Sequence, residues 1–221
     1  MQVNEKDTQI LVQSGLRFIE AMTASAMHEV KNKLAIINEN SGLIQDLSWM
    51  AQKKDQPLDI GRMESISGKI QDQVRFADDI IKKVNQFSGG LDTSETEVNL
   101  ADALTFTLAL ADQLIEKMEC RIHLVSPASP VTVRIRLFYL ENLFWRILES
   151  VCTAADPGSR ISVTIDPAGS SPVVTISSED EIIRLDSAIL DSDEVKALSR
   201  FLSVHPEMNN DSKSIRLVWG N

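Results

Sequence analysis

Two long apolar stripes, separated by one short turn, constrain the fold of this 221-residue chain more than any other feature. Apolar residues recur at three- and four-residue steps from Leu16 to Ile44, which predicts a helix from about residue 6 to residue 51. A second stripe follows from Ile60 to Val84, after a turn around Pro57. Residues 1–90 are therefore predicted to form a helical hairpin.

The hairpin carries more apolar surface than its two helices can cover by packing only on each other. A second hairpin from another copy of the chain would cover the remainder. We therefore expect a homodimer whose N-terminal domains form a four-helix bundle.

The chain beyond residue 90 has a different pattern. Residues 91–98 (LDTSETEV) are polar and are predicted to be a linker. Residues 99–221 alternate helical stretches with β-branched, strand-like stretches, which predicts an α+β domain with helices on one face of a small mixed or antiparallel sheet. The predicted helices are 100–119, 138–155 and 193–204, and the predicted strands are 121–125, 131–135, 161–166, 172–177 and 214–219.

Charge and composition exclude several functional classes. The chain has 22 basic and 32 acidic residues and a net charge of −10, which argues against binding to nucleic acid. Residues 1–90 hold 11 basic and 12 acidic side chains, and residues 91–221 hold 11 and 20, so the halves carry −1 and −9. The two cysteines, Cys120 and Cys152, are too few for a secreted disulfide framework. We find no signal-like N-terminus or membrane-spanning apolar run, so we expect a cytoplasmic protein without membrane contact.

One histidine lies on the polar side of the first predicted helix. On a helical wheel, His28 lies about 160° from Val30, the centre of the apolar face. Asn32 lies one turn further along beside it, and Glu29 and Lys31 flank it. An exposed imidazole nitrogen can act as a nucleophile when a carboxylate orients the ring or takes its proton, although many surface histidines are only solvated.

Small side chains surround this histidine on the same face, namely Ala21, Ala24, Ser25 and Ala35. These small side chains would let another molecule approach the imidazole closely. A zinc protease is excluded, because its motif needs a second histidine at position 32, where this chain has asparagine.

The stretch Met27-His28-Glu29-Val30-Lys31-Asn32-Lys33-Leu34-Ala35-Ile36-Ile37 resembles the H-box of two-component sensor histidine kinases. It departs from that motif at Lys33, where proline is frequent. The resemblance implies that His28 is the phosphoacceptor, that Glu29 is its acid/base partner, and that Asn32 positions the phosphoryl group or a water.

The C-terminal half resembles the ATP-binding domain of the same kinases but lacks its key residues. The helix around residues 137–151 is similar to the one that carries the N-box. In the family that helix has two asparagines four residues apart, and the second binds magnesium. Here those positions correspond to Arg146 and Ser150. No glycine occurs between Gly169 and Gly220, where a nucleotide lid would need it. Residues 179–194 hold seven acidic residues and one arginine. We therefore expect a degenerate ATPase-like domain with no cofactor or metal of its own.

A phosphoacceptor motif beside a degenerate ATPase-like domain resembles the dimeric histidine phosphotransferases of bacterial phosphorelays. The resemblance implies that His28 exchanges a phosphoryl group with the aspartates of receiver domains, or promotes its hydrolysis, with Ala24, Ser25, Lys31 and Ala35 contacting the receiver. Any Mg²⁺ would then come from the receiver. Two alternatives stay open: a sensor kinase with a divergent ATP site, and a non-catalytic scaffold.

Overall fold

The computed structural model describes residues 5–54, 57–91, 94–167, 171–178, 188–209 and 214–220. Most of the acidic stretch, at residues 179–187, and the predicted hairpin turn at residues 168–170 lie outside the described residues.

The chain is an α+β protein with an N-terminal helical region followed by an α/β domain, which confirms the predicted fold class. The helices are α1 (Glu5–Lys54), α2 (Ile60–Gly89), α3 (Leu100–Lys117), α4 (Leu137–Ala154), α5 (Ala188–Asp191) and α6 (Asp193–Leu202). The strands are β1 (Thr96–Asn99), β2 (Arg121–Val125), β3 (Thr132–Ile135), β4 (Arg160–Asp166), β5 (Val173–Ser178), β6 (Val204–Asn209) and β7 (Ser214–Trp219). Among the described helices, none is both long enough and apolar enough to span a bilayer.

One compact unit, Thr23–Ser88, consists of α1 from Thr23 onward and nearly all of α2. Asp59 starts α2, because its carboxylate accepts a hydrogen bond of 2.9 Å from the backbone N–H of Arg62. The Lys33 ammonium of α1 lies 5.5 Å from the centroid of the Phe76 ring of α2, so a cation–π contact joins the two helices.

The other compact unit comprises Met1–Met22 and Gly89–Asn221. Its main sheet has the order β2-β4-β5-β7-β6, in which only the β2/β4 pair is parallel. A separate antiparallel pair joins β1 to β3. The core of the unit lies between α4 and the sheet, with Trp145, Ile161 and Ile176 almost fully buried. The sheet is mixed because β2 and β4 are linked through α4, a connection that parallel strands require.

The first five turns of α1 belong to the α/β unit, and their buried face differs from the predicted stripe. Leu11, Phe18 and Met22 are buried, whereas Leu16, which we placed on the apolar stripe, is 62% exposed. The Phe18 and Phe138 rings lie 5.7 Å apart between centroids. Contact with α4 therefore sets which face of this segment is buried. The domain boundary that we placed at residue 90 stays a prediction.

Two strands lie where the sequence pattern predicted none. β1 occupies the second half of the predicted linker, and β6 contains His205 and Pro206. Proline cannot donate to a sheet, but β6 is an edge strand, where a missing N–H is tolerated.

Candidate functional site

His28 lies on the exposed side of α1, as the helical wheel predicts, while Val30 is partly buried. Asn32 is exposed one turn further along the same side. Within the described residues, neither side chain forms a hydrogen bond or an ion pair. The imidazole and the amide are therefore both free to contact another molecule.

Glu29 is held by a neighbour on its own helix. Its Oε1 lies 3.9 Å from the Lys33 Nζ, and each side chain is 25% exposed. Consecutive residues of a helix do not face each other, so Glu29 points towards Lys33 one turn away. Lys33, the one residue that departs from the H-box pattern, thus contacts both Glu29 and Phe76. The acid/base role of Glu29 stays a prediction.

Three of the four predicted partner-contacting residues are exposed: Ala24, Lys31 and Ala35. Ser25 instead is only 4% exposed, and its Oγ has no hydrogen-bond partner in the described part of the chain. Ala26, the next residue of the helix, is likewise 4% exposed. Ser25 therefore does not share the exposed face with the other three.

Exposed apolar side chains recur along both helices of the Thr23–Ser88 unit. On α1, Met27 and Leu34 are seven residues apart, and on α2 Val74 and Ile81 have the same spacing; all four are exposed. Residues seven apart lie on one face of a helix, as they do at a seam between helices. Each of the two helices therefore exposes apolar side chains on one face.

Arg146 and Ser150 of α4 do not fit the magnesium and nucleotide that the ATPase-like fold implies. The Ser150 hydroxyl donates to the Arg146 carbonyl at 2.8 Å, so it is used within the helix. The Arg146 guanidinium is a cation, lying 3.3 Å from Glu149 and 3.4 Å from Glu194. Arg146 has no oxygen to offer Mg²⁺, and the Ser150 hydroxyl, a weak ligand by itself, is already bonded to the helix backbone. Among the described residues, no cluster of three or more histidine, cysteine, aspartate or glutamate side chains could hold a metal ion.

Two polar residues of α4 were missed by the sequence analysis. Asn142 is fully buried, and its Nδ2 donates a hydrogen bond of 3.0 Å to the Oγ of Ser14 in α1. Glu141 is 3% exposed, and burial raises its pKa to about 8. The signal available in the sequence was the pair Glu141-Asn142 inside an otherwise apolar helix.

The chain is similar in structure to several proteins of two-component signalling. A chain described as a bacterial phosphotransferase matches with 12% identity and a TM-score of 0.48, covering 92% of this chain and 95% of that one. A histidine kinase from Burkholderia phymatum matches with 14% identity and a TM-score of 0.45, covering 98% and 97%. The Acinetobacter baumannii histidine kinase AdeS matches with 11% identity and a TM-score of 0.46, covering 86% and 95%.

Neither a protein-family model nor a curated protein matches the sequence. The structural neighbours are histidine kinase cores together with a phosphotransferase, in line with the resemblance noted from the H-box. At these TM-scores the similarity assigns no activity to this chain.

Proposed function

We propose that this chain is a histidine phosphotransferase of two-component signalling. His28 accepts a phosphoryl group from the aspartate of one receiver domain and donates it to the aspartate of another. The same site can act as a phosphatase when water replaces the second receiver. The observation that carries this proposal is the exposed, unpartnered imidazole of His28 within an H-box-like stretch, one turn before an exposed amide.

The transfer step needs only a neutral imidazole. One ring nitrogen uses its lone pair to attack the phosphorus of the aspartyl phosphate, forming an N–P bond while the P–O bond to aspartate breaks. The aspartate leaves as a carboxylate. Transfer to the second receiver runs the same exchange in reverse, so no nucleotide is consumed.

Hydrolysis uses the neighbours of His28. The Asn32 amide orients a water for attack on the phosphoryl group carried by His28, the N–P bond breaks as the new P–O bond forms, and Glu29 takes the proton of the water. Glu29 is paired with Lys33 through Oε1 at 3.9 Å, and its Oε2 can still accept this proton. Lys33 therefore affects the hydrolytic reaction more than the transfer reaction, which does not use Glu29.

The partner in this proposal is a receiver domain, which also brings any Mg²⁺. The exposed residues Ala24 and Ala35 leave room for a close approach, and Lys31 adds a positive charge to the same surface. The Thr23–Ser88 unit holds nine basic and nine acidic residues, so its net charge of zero does not repel an acidic partner.

A homodimer with a four-helix bundle belongs to the same proposal. The exposed stripe of Met27 and Leu34 on α1 and of Val74 and Ile81 on α2 gives the apolar surface that a second hairpin would cover. We propose a cytoplasmic location, where receiver domains would meet this surface.

Absence of ATP chemistry completes the proposal. It is supported by Arg146, whose cationic guanidinium stands where the resemblance places an uncharged asparagine amide. It is also supported by Ser150, whose hydroxyl is bonded to the helix backbone. The chain would then depend on phosphorylated receivers for its phosphoryl group.

A two-part labelling experiment tests the proposal. Wild-type protein should remain unlabelled with radiolabelled ATP and magnesium, and should become labelled, or release inorganic phosphate, with a phosphorylated receiver. His28→Ala should abolish both activities, whereas Asn32→Ala should reduce hydrolysis more than transfer. Labelling by ATP that depends on His28 would favour the sensor-kinase alternative. The scaffold alternative would be favoured if no receiver of the source organism transferred its label to this chain and none released phosphate in its presence.

A further inference from the structure

Two guanidinium groups meet one carboxylate in the α/β unit. Arg17 of α1 donates from Nη1 to Oε1 of Glu194 at 2.6 Å. Arg146 of α4 places Nε 3.4 Å from Oε2 of the same glutamate, which lies in the first turn of α6. Glu149 lies 3.3 Å from the other side of Arg146. Three separate helices thus supply the charges of this cluster, Glu194 included.

The pair of Arg146 and Glu194 is better shielded than an ordinary surface ion pair. The side chain of Arg146 is 18% exposed and that of Glu194 is 24% exposed, whereas Arg17 is 63% exposed. Nε and Nη2 of Arg146 are buried and make no hydrogen bond with good geometry to the described residues. A planar guanidinium with unused buried donors favours an acceptor that carries several oxygens.

The first segment of α1, Glu5–Met22, is fixed beside this cluster by further contacts within the same unit. Asp7 pairs with Arg200 of α6 at 2.6 Å, and Ser14 is hydrogen-bonded to Asn142 of α4 at 3.0 Å. Arg17 therefore projects from a docked helix, so its charge stays close to Arg146.

We propose that Arg17 and Arg146 form an anion site whose resident occupant is the chain's own Glu194. The carboxylate of Glu194 supplies the negative charge that would otherwise come from a phosphate-bearing ligand. This internal ion cluster holds the Glu5–Met22 segment on α4 and α6 without a nucleotide. The proposal does not depend on phosphotransfer at His28, and the two can fail separately.

Pyrophosphate is the probe that tests the site, because it offers several oxygens to both guanidinium groups. In Glu194→Gln both arginines lose the carboxylate that they share, while Arg146 keeps Glu149 at 3.3 Å, so pyrophosphate should raise the melting temperature of this variant saturably. The expected rise is roughly 3–6 °C at about ten times the Kd, at constant ionic strength. Wild-type protein should show no such rise, since its site is filled.

Asp193→Asn is the matched control. Asp193 lies in the same first turn of α6 and also forms an ion pair, with Lys6 at 3.6 Å, but both of those side chains are largely exposed. The control thus loses the same charge near the same helix N-terminus, and it should not respond to pyrophosphate. Arg17→Met combined with Glu194→Gln should remove the response again.

Each outcome decides the proposal. An equal response of wild-type protein, of Asp193→Asn or of the Arg17→Met double variant overturns it, and so does a Glu194→Gln protein that does not respond. If Glu194→Gln does not fold alone, pyrophosphate should restore its fold, and failure to do so also overturns the proposal. The phosphoryl transfer rate of His28, measured in parallel, reports on the proposed function independently.

Discussion

The carboxylate of Glu29 and the ammonium of Lys33 lie 3.9 Å apart on consecutive turns of α1, immediately beside the exposed His28. The same ammonium lies 5.5 Å from the Phe76 ring centroid, so one side chain joins the acidic neighbour of the histidine to the second helix of the hairpin. A lysine at this position therefore stabilises the hairpin and restrains Glu29 at the same time.

Lys33→Met should destabilise the protein by about 0.5–1 kcal/mol, since it removes a helical ion pair and a cation–π contact while keeping helix propensity. Urea denaturation measures the change. Lys31→Met is the control, because Lys31 is exposed and forms no ion pair in the described part of the chain. Equal destabilisation by both substitutions would show that the contacts of Lys33 contribute nothing specific.

Ser14→Ala should cost about 1–3 kcal/mol of stability, because the fully buried Asn142 amide loses the hydroxyl that accepts its hydrogen bond at 3.0 Å. Ser150→Ala is a matched serine control on α4, where the hydroxyl is bonded only to the carbonyl of its own helix. The control should change stability by less than about 0.5 kcal/mol. A Ser14→Ala protein as stable as the control contradicts the buried contact between α1 and α4.

Glu141→Gln should make stability less sensitive to pH. Burial raises the pKa of Glu141 from its ordinary value of 4.5 to about 8, so the folded chain keeps a proton that the unfolded chain releases in this window. Stability of the wild-type protein therefore falls as pH rises from 4.5 to about 8.

The advantage of Glu141→Gln over wild type should grow by about 3 kcal/mol between about pH 5.5 and pH 8.5. Denaturant titrations at both pH values measure it. Glu64→Gln, on the exposed surface of α2, should show no such growth. A constant difference between Glu141→Gln and wild type at the two pH values is inconsistent with a buried, protonated Glu141.

Val74→Asp should convert the proposed dimer into a monomer, because it places a charge in the exposed apolar repeat of α2. Light scattering coupled to size-exclusion chromatography gives the mass directly. Ser65→Asp adds the same charge on the opposite face of α2 and should leave the dimer intact. A wild-type protein that is monomeric at micromolar concentrations would contradict the proposed four-helix bundle.

The periodicity of apolar residues predicted the long helices well, because an amphipathic stripe indicates a helix regardless of which element packs against it. The helix bounds Glu5–Lys54 and Ile60–Gly89 lie within a few residues of those expected. The edge strand β6 was missed because its proline disfavours a strand everywhere except at a sheet edge.

The candidate site was predicted in part. Exposure of His28 and Asn32 follows from their angle to the apolar stripe, which the sequence contains. Burial of Ser25 and the contact of Ser14 with Asn142 depend on what packs against each helix, which a helical wheel cannot show. The misplacement of Ser25 and Leu16 and the omission of Ser14 and Asn142 have this same cause.

The central claim is that His28 carries a phosphoryl group on its imidazole. The most direct measurement is intact-protein and peptide mass spectrometry after mixing the purified chain with a phosphorylated receiver and no ATP. We predict one acid-labile, base-stable phosphate per chain, located on the peptide that contains His28 and absent from His28→Gln. A wild-type chain that gains no phosphate and releases none from the receiver, or a phosphate located on another residue, would contradict the account.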